Sequence, residues 1–366
     1  MAAAGLGFLR DYNEALVVAI ARRTETFDRS AIAAASGLTP QAVSKVIARL
    51  TEAGLVVATG QRRHGVGKPA TVYALIPSSR YAIGAHVART TLRVVVADLV
   101  GAVVDSTVLP LPADFTPAAV LDRLDAEATR LTAVHHLGQR LVGVGIGMVG
   151  PLDFTEGVVR DAHRLRRWHD VPLRELAEAR LGLPVILDKD VTAGVTAEAW
   201  RRGIEFRDAA FVMVESGIGC GLWLGGHAYR GAHTNAGEFG HHVIALDGPL
   251  CACGRHGCLD VVHDHAVAAG DLERAARVLG TGIVNLLQTI DVDHVVLAGT
   301  DVLARQRVYL DAVERAVRTE VPRPDWLPVR VTMTSLGADA VAAGAAMQVI
   351  NAGYGLRAPS DPAAIR

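Results

Sequence analysis

Within eighteen residues the chain gathers one histidine and three cysteines, His241, Cys251, Cys253 and Cys258, at steps of ten, two and five. Thiolate and imidazole donors together suit Zn²⁺ far better than Mg²⁺ or Ca²⁺. Four protein ligands leave no open position, which is the pattern of a structural rather than a catalytic zinc site. Gly254 and Gly257 allow the chain to double back so that three sulfurs converge. The competing explanation is small buried hydrophobes in a reduced protein, but the chain has only four cysteines and three of them sit here. Cys220 is left over as a core residue. By proximity either His241 or His242 completes the set, and His256 lies inside the cysteine loop, so spacing alone leaves the histidine open.

A second group of residues suits nucleic acid. Three apolar-periodic segments, Asp11 to Ala21, Arg29 to Ser36 and Pro40 to Ala53, read as helices. Between the last two, Gly37 ends one helix, Thr39 caps the next and Pro40 opens it, giving a helix-turn-helix. Val43, Val46, Ile47 and Leu50 form the inner stripe of its second helix, leaving Gln41, Ser44, Lys45 and Arg49 facing outward. All four types suit DNA base edges and phosphates, and Gln41, Ser44 and Lys45 are the candidates for base edges, with Arg49 a further DNA contact. The stretches Gly54 to Val57 and Ala70 to Leu75 read as two short strands around a basic, glycine-bearing loop, a wing whose Arg62, Arg63 and Lys68 suit the phosphate backbone. A small protein-interaction domain with a solvated charged loop is the alternative.

The elements that carry these groups need a sizeable body, and 366 residues with 50% apolar content supply one. No apolar run reaches the ~20 residues of a membrane span, and Met1 to Phe8 lacks the layout of a signal peptide, so a cytoplasmic location is expected. Residues 1–80 hold ten Lys/Arg and five Asp/Glu, a charge of +5, which leaves −6 for the rest of a chain whose net charge is −1. A basic head on an acidic body fits a DNA reader. From Tyr81 the texture becomes α/β. Ile83 to Ala97 and Gly101 to Val108 read as paired strands, Pro117 to His135 as a helix, and Leu141 to Met148 as a buried strand. A second half begins near Phe211, with strands at Val212 to Val214, Gly221 to Gly225 and Val295 to Gly299, and closes on a helix from Ala338 to Asn351. Two lobes with a cleft between them are expected.

Three motifs carry a resemblance: Gly237-Glu238-Phe239-Gly240-His241, the run from Gly248 to Leu259, and Ser335-Leu336-Gly337-Ala338-Asp339 with Gly344-Ala345-Ala346. Through them the whole chain resembles the ROK family (repressors, open reading frames and sugar kinases), in its winged-helix regulator branch, that of the xylose and N-acetylglucosamine repressors. The resemblance implies a winged helix-turn-helix over 1–78 and, over 79–366, a two-lobed actin-like sugar-kinase fold for ligand binding and oligomerisation. The lobes would be about 79–190 with the helix 338–351, and 191–337. It also implies that His241 rather than His242 completes the zinc site.

ROK kinases open their first lobe with Asp-x-Gly-Gly-Thr, whose glycines let backbone wrap nucleotide phosphate. Here the matching stretch is His86-Val87-Ala88-Arg89-Thr90, with both glycines and the acid gone. In the second phosphate loop Glu215 replaces the leading glycine, and its carboxylate would repel a polyphosphate. ATP binding and kinase activity are therefore expected to be lost, leaving no catalytic residue, although Asp190 stands where a kinase keeps its general base. The sugar side resembles the kinases more closely: Lys189, Asp190, Glu238, His241 and Asp260 match the groups that hold sugar hydroxyls, with Lys for Asn and Asp for Glu as departures. Lys189 either bonds an anionic group, which implies an acidic or phosphorylated sugar, or neutralises Asp188 and Asp190. The function expected is a sugar-responsive transcriptional regulator, most simply a repressor. It would bind a near-palindromic operator as a homodimer or homotetramer. A sugar kinase, or a regulator controlled by a protein partner, is the alternative.

Overall fold

The computed structural model describes residues 6–62, 69–162, 165–203, 205–323 and 325–353. Three helices come first, α1 (Leu6–Ala21), α2 (Arg29–Ser36) and α3 (Pro40–Glu52). Each boundary has a local cause. The Asp28 carboxylate accepts from Ala31 N at 2.9 Å, Gly37 ends α2 in the left-handed region at φ 70°, and Thr39 Oγ1 accepts from Ala42 N at 3.2 Å ahead of Pro40. Val43, Val46, Ile47 and Leu50 are buried, as the periodicity requires. Strands β1 (Val56–Arg62) and β2 (Ala70–Leu75) pair antiparallel in the place expected of a wing.

The body holds two five-stranded sheets of the same design. The first uses β3 (Tyr81–Val87), β4 (Thr91–Asp98) and β5 (Val103–Pro110), then α4 (Pro117–Val134) and β6 (Leu141–Met148). The short strands β7 (Leu152–Asp153), β8 (Val158–Asp161) and β9 (His169–Val171) form a side sheet before α5 (Leu173–Leu181) and β10 (Val185–Lys189). After α6 (Asp190–Arg202) the second sheet follows with β11 (Ala209–Val214), β12 (Ile218–Leu224) and β13 (His227–Tyr229). Helices α7 (Leu259–Ala268) and α8 (Leu272–Thr289) lead to β14 (His294–Ala298). Helices α9 (Thr300–Ala304) and α10 (Gln306–Glu320), strand β15 (Arg330–Met333) and α11 (Ala340–Gly353) complete the chain. The strand orders are β10-β6-β3-β4-β5 and β13-β12-β11-β14-β15. In each sheet three strands form an antiparallel meander, and the remaining two run parallel to its first strand. Helices α6 and α11 pack against each other and touch both the first sheet and, through α6, the second.

The head is not tethered loosely. Val17, Val18, Ile47 and Leu50 share a core with Ala82, Ala97, Leu99, Val349 and Ile350 of the body. Two readings shift. The single extended stretch expected over 83–97 is two strands, because Ala88 to Thr90 turn, with Ala88 N donating to Thr91 O at 2.9 Å. The first helix begins at Leu6 rather than Asp11.

Candidate ligand cleft, metal centre and nucleic-acid interface

The carboxyl ends of β3, β6, β10 and β11 border one cavity of about 310 Å³. Its wall includes Ala88 and Arg89 from the β3–β4 turn, Lys189 and Asp190 from the β10–α6 junction, Ser216 to Gly219 from the β11–β12 hairpin, and Glu238, His241 and Asp260. All five residues matched to sugar-hydroxyl groups thus line one space.

Their electrostatics differ from a simple row of acceptors. Lys189 is buried, and its Nζ donates to Glu238 Oε1 at 2.5 Å and to Ala236 O at 2.9 Å. Lys189 therefore makes its ion pair across the cleft and not with its neighbour Asp188, whose carboxylate accepts from Arg230 at 2.7 Å and Gln348 at 2.8 Å. Arg230 in turn lies over Phe154 at 4.1 Å. Burial pushes Asp190 up to about 6, while the Val191 amide and the Lys189 charge pull it down. Asp260 Oδ1 accepts from Ile218 N at 3.0 Å, tying the start of α7 to the β11–β12 hairpin.

The stretches matched in sequence to kinase phosphate loops carry titratable side chains here. His86 is buried and, through burial and then Arg93, held neutral at about 4. Burial, followed by the charge of Asp190, raises Glu215 to about 7. Arg93 donates to Asp339 at 2.9 Å, and Ser106 donates to the same carboxylate at 2.8 Å. Arg89 is exposed at the rim.

The sulfur cluster lies beside this wall. The donor atoms of His241, Cys251, Cys253 and Cys258 all fall within 4.8 Å of one another, with His241 Nδ1 3.6 Å from Cys251 Sγ and Cys253 Sγ 3.6 Å from Cys258 Sγ. Four ligands at Zn–N and Zn–S bond lengths on a tetrahedron stand about 3.4–3.8 Å apart, so the set fits zinc. Backbone bonds hold the loop: Cys251 N donates to Arg255 O at 2.8 Å, Ile244 N to Gly257 O at 2.9 Å and Leu259 N to His242 O at 2.8 Å. The other two histidines are engaged elsewhere, His242 edge-on to Phe239 and His256 donating to the Gly248 carbonyl at 3.0 Å.

On the head, Gln41 and Lys45 are exposed and Ser44 is half-buried on the outer side of α3. Arg49, expected to face outward with them, is instead ion-paired with Glu14 of α1. Arg62 is exposed at the end of β1, where it donates to Thr26 at 3.3 Å. Arg63 and Lys68 lie outside the described residues. Sequence reasoning missed the cluster in which half-buried Arg230 and buried Gln348 donate to buried Asp188; 42 and 160 residues separate Asp188 from its two partners, and no local pattern connects them. Among the described residues, no helix is long and apolar enough to cross a membrane.

The model of the ROK family matches residues 82–269 and 261–352. The chain is similar to a putative xylose repressor of a Caldicellulosiruptor species, at 28% identity over 69% of this chain and 63% of that protein. It is also similar to the xylose repressor of Bacillus spizizenii, at 22% identity over 94% of this chain and 96% of that one. A glucokinase of Halalkalibacterium halodurans is 30% identical over 62% of this chain and 68% of its own. Among solved structures, a ROK family transcriptional regulator, a homologue of the E. coli MLC protein, superposes with a TM-score of 0.77 at 19% identity, over 95% of this chain and 98% of that one.

Proposed function

We propose that this chain, which belongs to the ROK family, is a DNA-binding transcriptional repressor whose operator affinity is set by a sugar in the cleft. What supports this reading is the pairing of a head of three helices and a two-stranded sheet with a cleft whose β3–β4 turn carries Ala88 and Arg89, where the resemblance to ROK kinases places glycines. The full-length similarity to a xylose repressor supports it. Residues 1–78 would be the DNA-binding unit and 79–366 the ligand-binding and oligomerising unit, its lobes at about 79–190 with 338–351, and 191–337. Gln41, Ser44 and Lys45 would read bases, and Arg62, with Arg63 and Lys68, would hold the backbone as a homodimer or homotetramer sits on a near-palindromic site.

Asp190, Glu238 and Asp260 are the proposed hydroxyl acceptors and His241 the donor, through the ring nitrogen that the zinc leaves free, with Lys189 setting the charge among them. Because Lys189 already has a protein carboxylate as partner, the motive for an acidic sugar weakens, and a neutral sugar is the ligand this cleft favours. A zinc ion held by His241, Cys251, Cys253 and Cys258 would cross-link the loop between Glu238 and Asp260, whose side chains face the cleft. Coupling to the head has a physical carrier. Helix α6 starts at Asp190 in the cleft and ends under α1, where Arg22 lies 3.2 Å above the Trp200 ring. A ligand that favours one lobe arrangement would shift the head by its differential affinity for the two states.

Operator mapping with purified protein, repeated against a panel of neutral, acidic and phosphorylated sugars, tests the reading. Release by one sugar is the expected result. Binding unmoved by any sugar but altered by a protein partner would replace the ligand in this proposal. A residual sugar kinase is the second reading, favoured by Asp190 at the position of the kinase base and by the glucokinase relative. ATP turnover with sugar and no DNA binding would establish it instead.

A further inference from the structure

Where the head meets the body there is a second cavity, of about 370 Å³ and separate from the cleft. From the head, Arg22 and Arg23 at the end of α1 line it. The body contributes Trp200 from α6, Phe206 and Arg207 from the segment before β11, and Trp223 and His227 from the β12–β13 hairpin. Three arginines therefore border one space, and among the described residues no carboxylate does.

Arg22 shows the consequence. Its guanidinium lies over the Trp200 ring at 3.2 Å, and among the described residues its polar contact is the Asn351 amide oxygen at 3.4 Å. Burial, reinforced by the like charge of Arg23, draws it down to about 9. A guanidinium stays charged at neutral pH even so, and the charge nearest to it repels it. A desolvated cation without a counter-ion is costly. Of the other half-buried arginines, Arg93 has Asp339, Arg202 has Glu198 and Arg230 has Asp188, while Arg80, Arg123, Arg140 and Arg174 donate to main-chain carbonyls. At the junction, among the described residues, Arg22 has no such pair.

We propose that the junction cavity is a second ligand site, which takes a small phosphate-bearing molecule between Arg22, Arg23 and Arg207 and against the Trp200 and Trp223 rings. Guanidinium forks match phosphate oxygens in pairs, and the volume lies within the range of small-molecule sites. Such a ligand bonds groups from both the head and the body, so its binding fixes the angle at which the head is carried. The site is distinct from the sugar cleft, although Thr196, Ala199 and Trp200 of α6, the helix that begins at Asp190, line it.

The test uses the full-length protein without DNA or sugar, in chloride buffer of constant ionic strength. Inorganic phosphate and then phenyl phosphate are titrated by calorimetry. One saturable site per chain is expected, tighter for phenyl phosphate because its ring can stack on the indoles. The Arg23→Gln, Arg207→Gln double variant alters only exposed side chains and should fold as the parent does. It should bind roughly ten- to a hundredfold more weakly, the loss of charge-assisted bonds to an anion. Trp223→Phe should remove most of any phosphate-induced change in tryptophan fluorescence. Absence of saturable binding, or binding unaltered in the double variant, overturns the proposal. So does the outcome in which free phosphate gives no heat while the double variant lowers the salt dependence of operator binding by about one phosphate per arginine; the arginines would then serve the DNA backbone. Because the calorimetry needs neither operator nor sugar, its failure leaves the repressor reading standing, and the reverse also holds.

Discussion

The Lys189–Glu238 ion pair is the feature that most separates this cleft from a row of hydroxyl acceptors, and a double-mutant cycle measures it. Lys189 has 5% of its side chain exposed and Glu238 30%, and their charged atoms stand 2.5 Å apart. Removing one member of a fully buried pair costs about 3–5 kcal/mol, because the other is left desolvated and unpaired. Water reaching Glu238 would recover part of that, so Lys189→Met should cost about 2–3 kcal/mol, on the order of 5 °C in Tm for a chain of this size. Glu238→Gln should cost less, since the amide oxygen can still accept from Lys189 and the Ala236 carbonyl remains. The double variant, with both charges removed, should return to within about 1 kcal/mol of the parent. The coupling energy would then be about 2 kcal/mol. Urea unfolding of the ligand-free protein at pH 7.5 and low salt reads all four corners. Additive losses would show that Lys189 and Glu238 do not act as a pair, and the argument for a neutral ligand would fall with them.

Three other outcomes follow from the same geometry. Asp190 is raised from 3.8 to about 6 by burial, so the folded protein holds a proton that the unfolded chain has released. Stability should therefore fall between pH 4 and 6, by on the order of 3 kcal/mol from this group. Asp190→Asn should flatten that fall and stabilise the protein at pH 7.5; an unchanged pH slope of the urea midpoint in the variant would disprove it. Metal analysis should find one zinc per chain, and Cys258→Ser or a strong chelator should lower Tm and open the 241–258 loop to protease, whereas a metal-free protein of full stability would remove the structural zinc. Gly84 faces the backbone of α11, where an added Cβ would overlap the Ala342 carbonyl oxygen; Gly84→Val should cost more than about 3 kcal/mol or prevent folding, and a soluble variant with the parent's Tm would refute so close an approach.

The legible parts of the sequence were those whose cause is local. The Gly37–Pro40 turn, the stripe Val43, Val46, Ile47 and Leu50, and the strand Leu141–Met148 each follow from periodicity or capping within a few residues. Helices α5, α7, α8 and α10 went unread, and so did the 13-residue α6, whose first ten residues from Asp190 to Ala199 are all buried and show no polar stripe to mark a period. The four metal-type ligands were legible because cysteines are scarce in this chain. The partners of Asp188 and of Lys189 were not, because they are brought together only by the packing of α11 and the 230–238 loop against β10. Arg49 shows the opposite error: helical spacing places it on the outer face, and only the neighbouring α1 supplies Glu14 to occupy it.

The two central helices decide how a ligand in the cleft can reach the head. Gly84 of β3 and Gly344 of α11 sit where a Cβ would overlap the backbone carbonyls of Ala342 and Ala193. Thus β3, α11 and α6 are packed backbone to backbone, with no side-chain layer between them to absorb a displacement. Glu198 extends the same unit, accepting from Thr334 at 2.6 Å, from Ser335 N at 2.8 Å and from Arg202 at 2.8 Å. A block so joined has little free space for its parts to shift separately. Val349 and Ile350 of α11 lie in the core of the head, and Trp200 of α6 lies under Arg22. A change of lobe angle at Asp190 would therefore arrive at α1 as a rotation of its whole seat. Local loosening of the head would instead require breaking the shared core, and this is why the junction, rather than the cleft, is where a second ligand would have the greatest leverage on DNA binding.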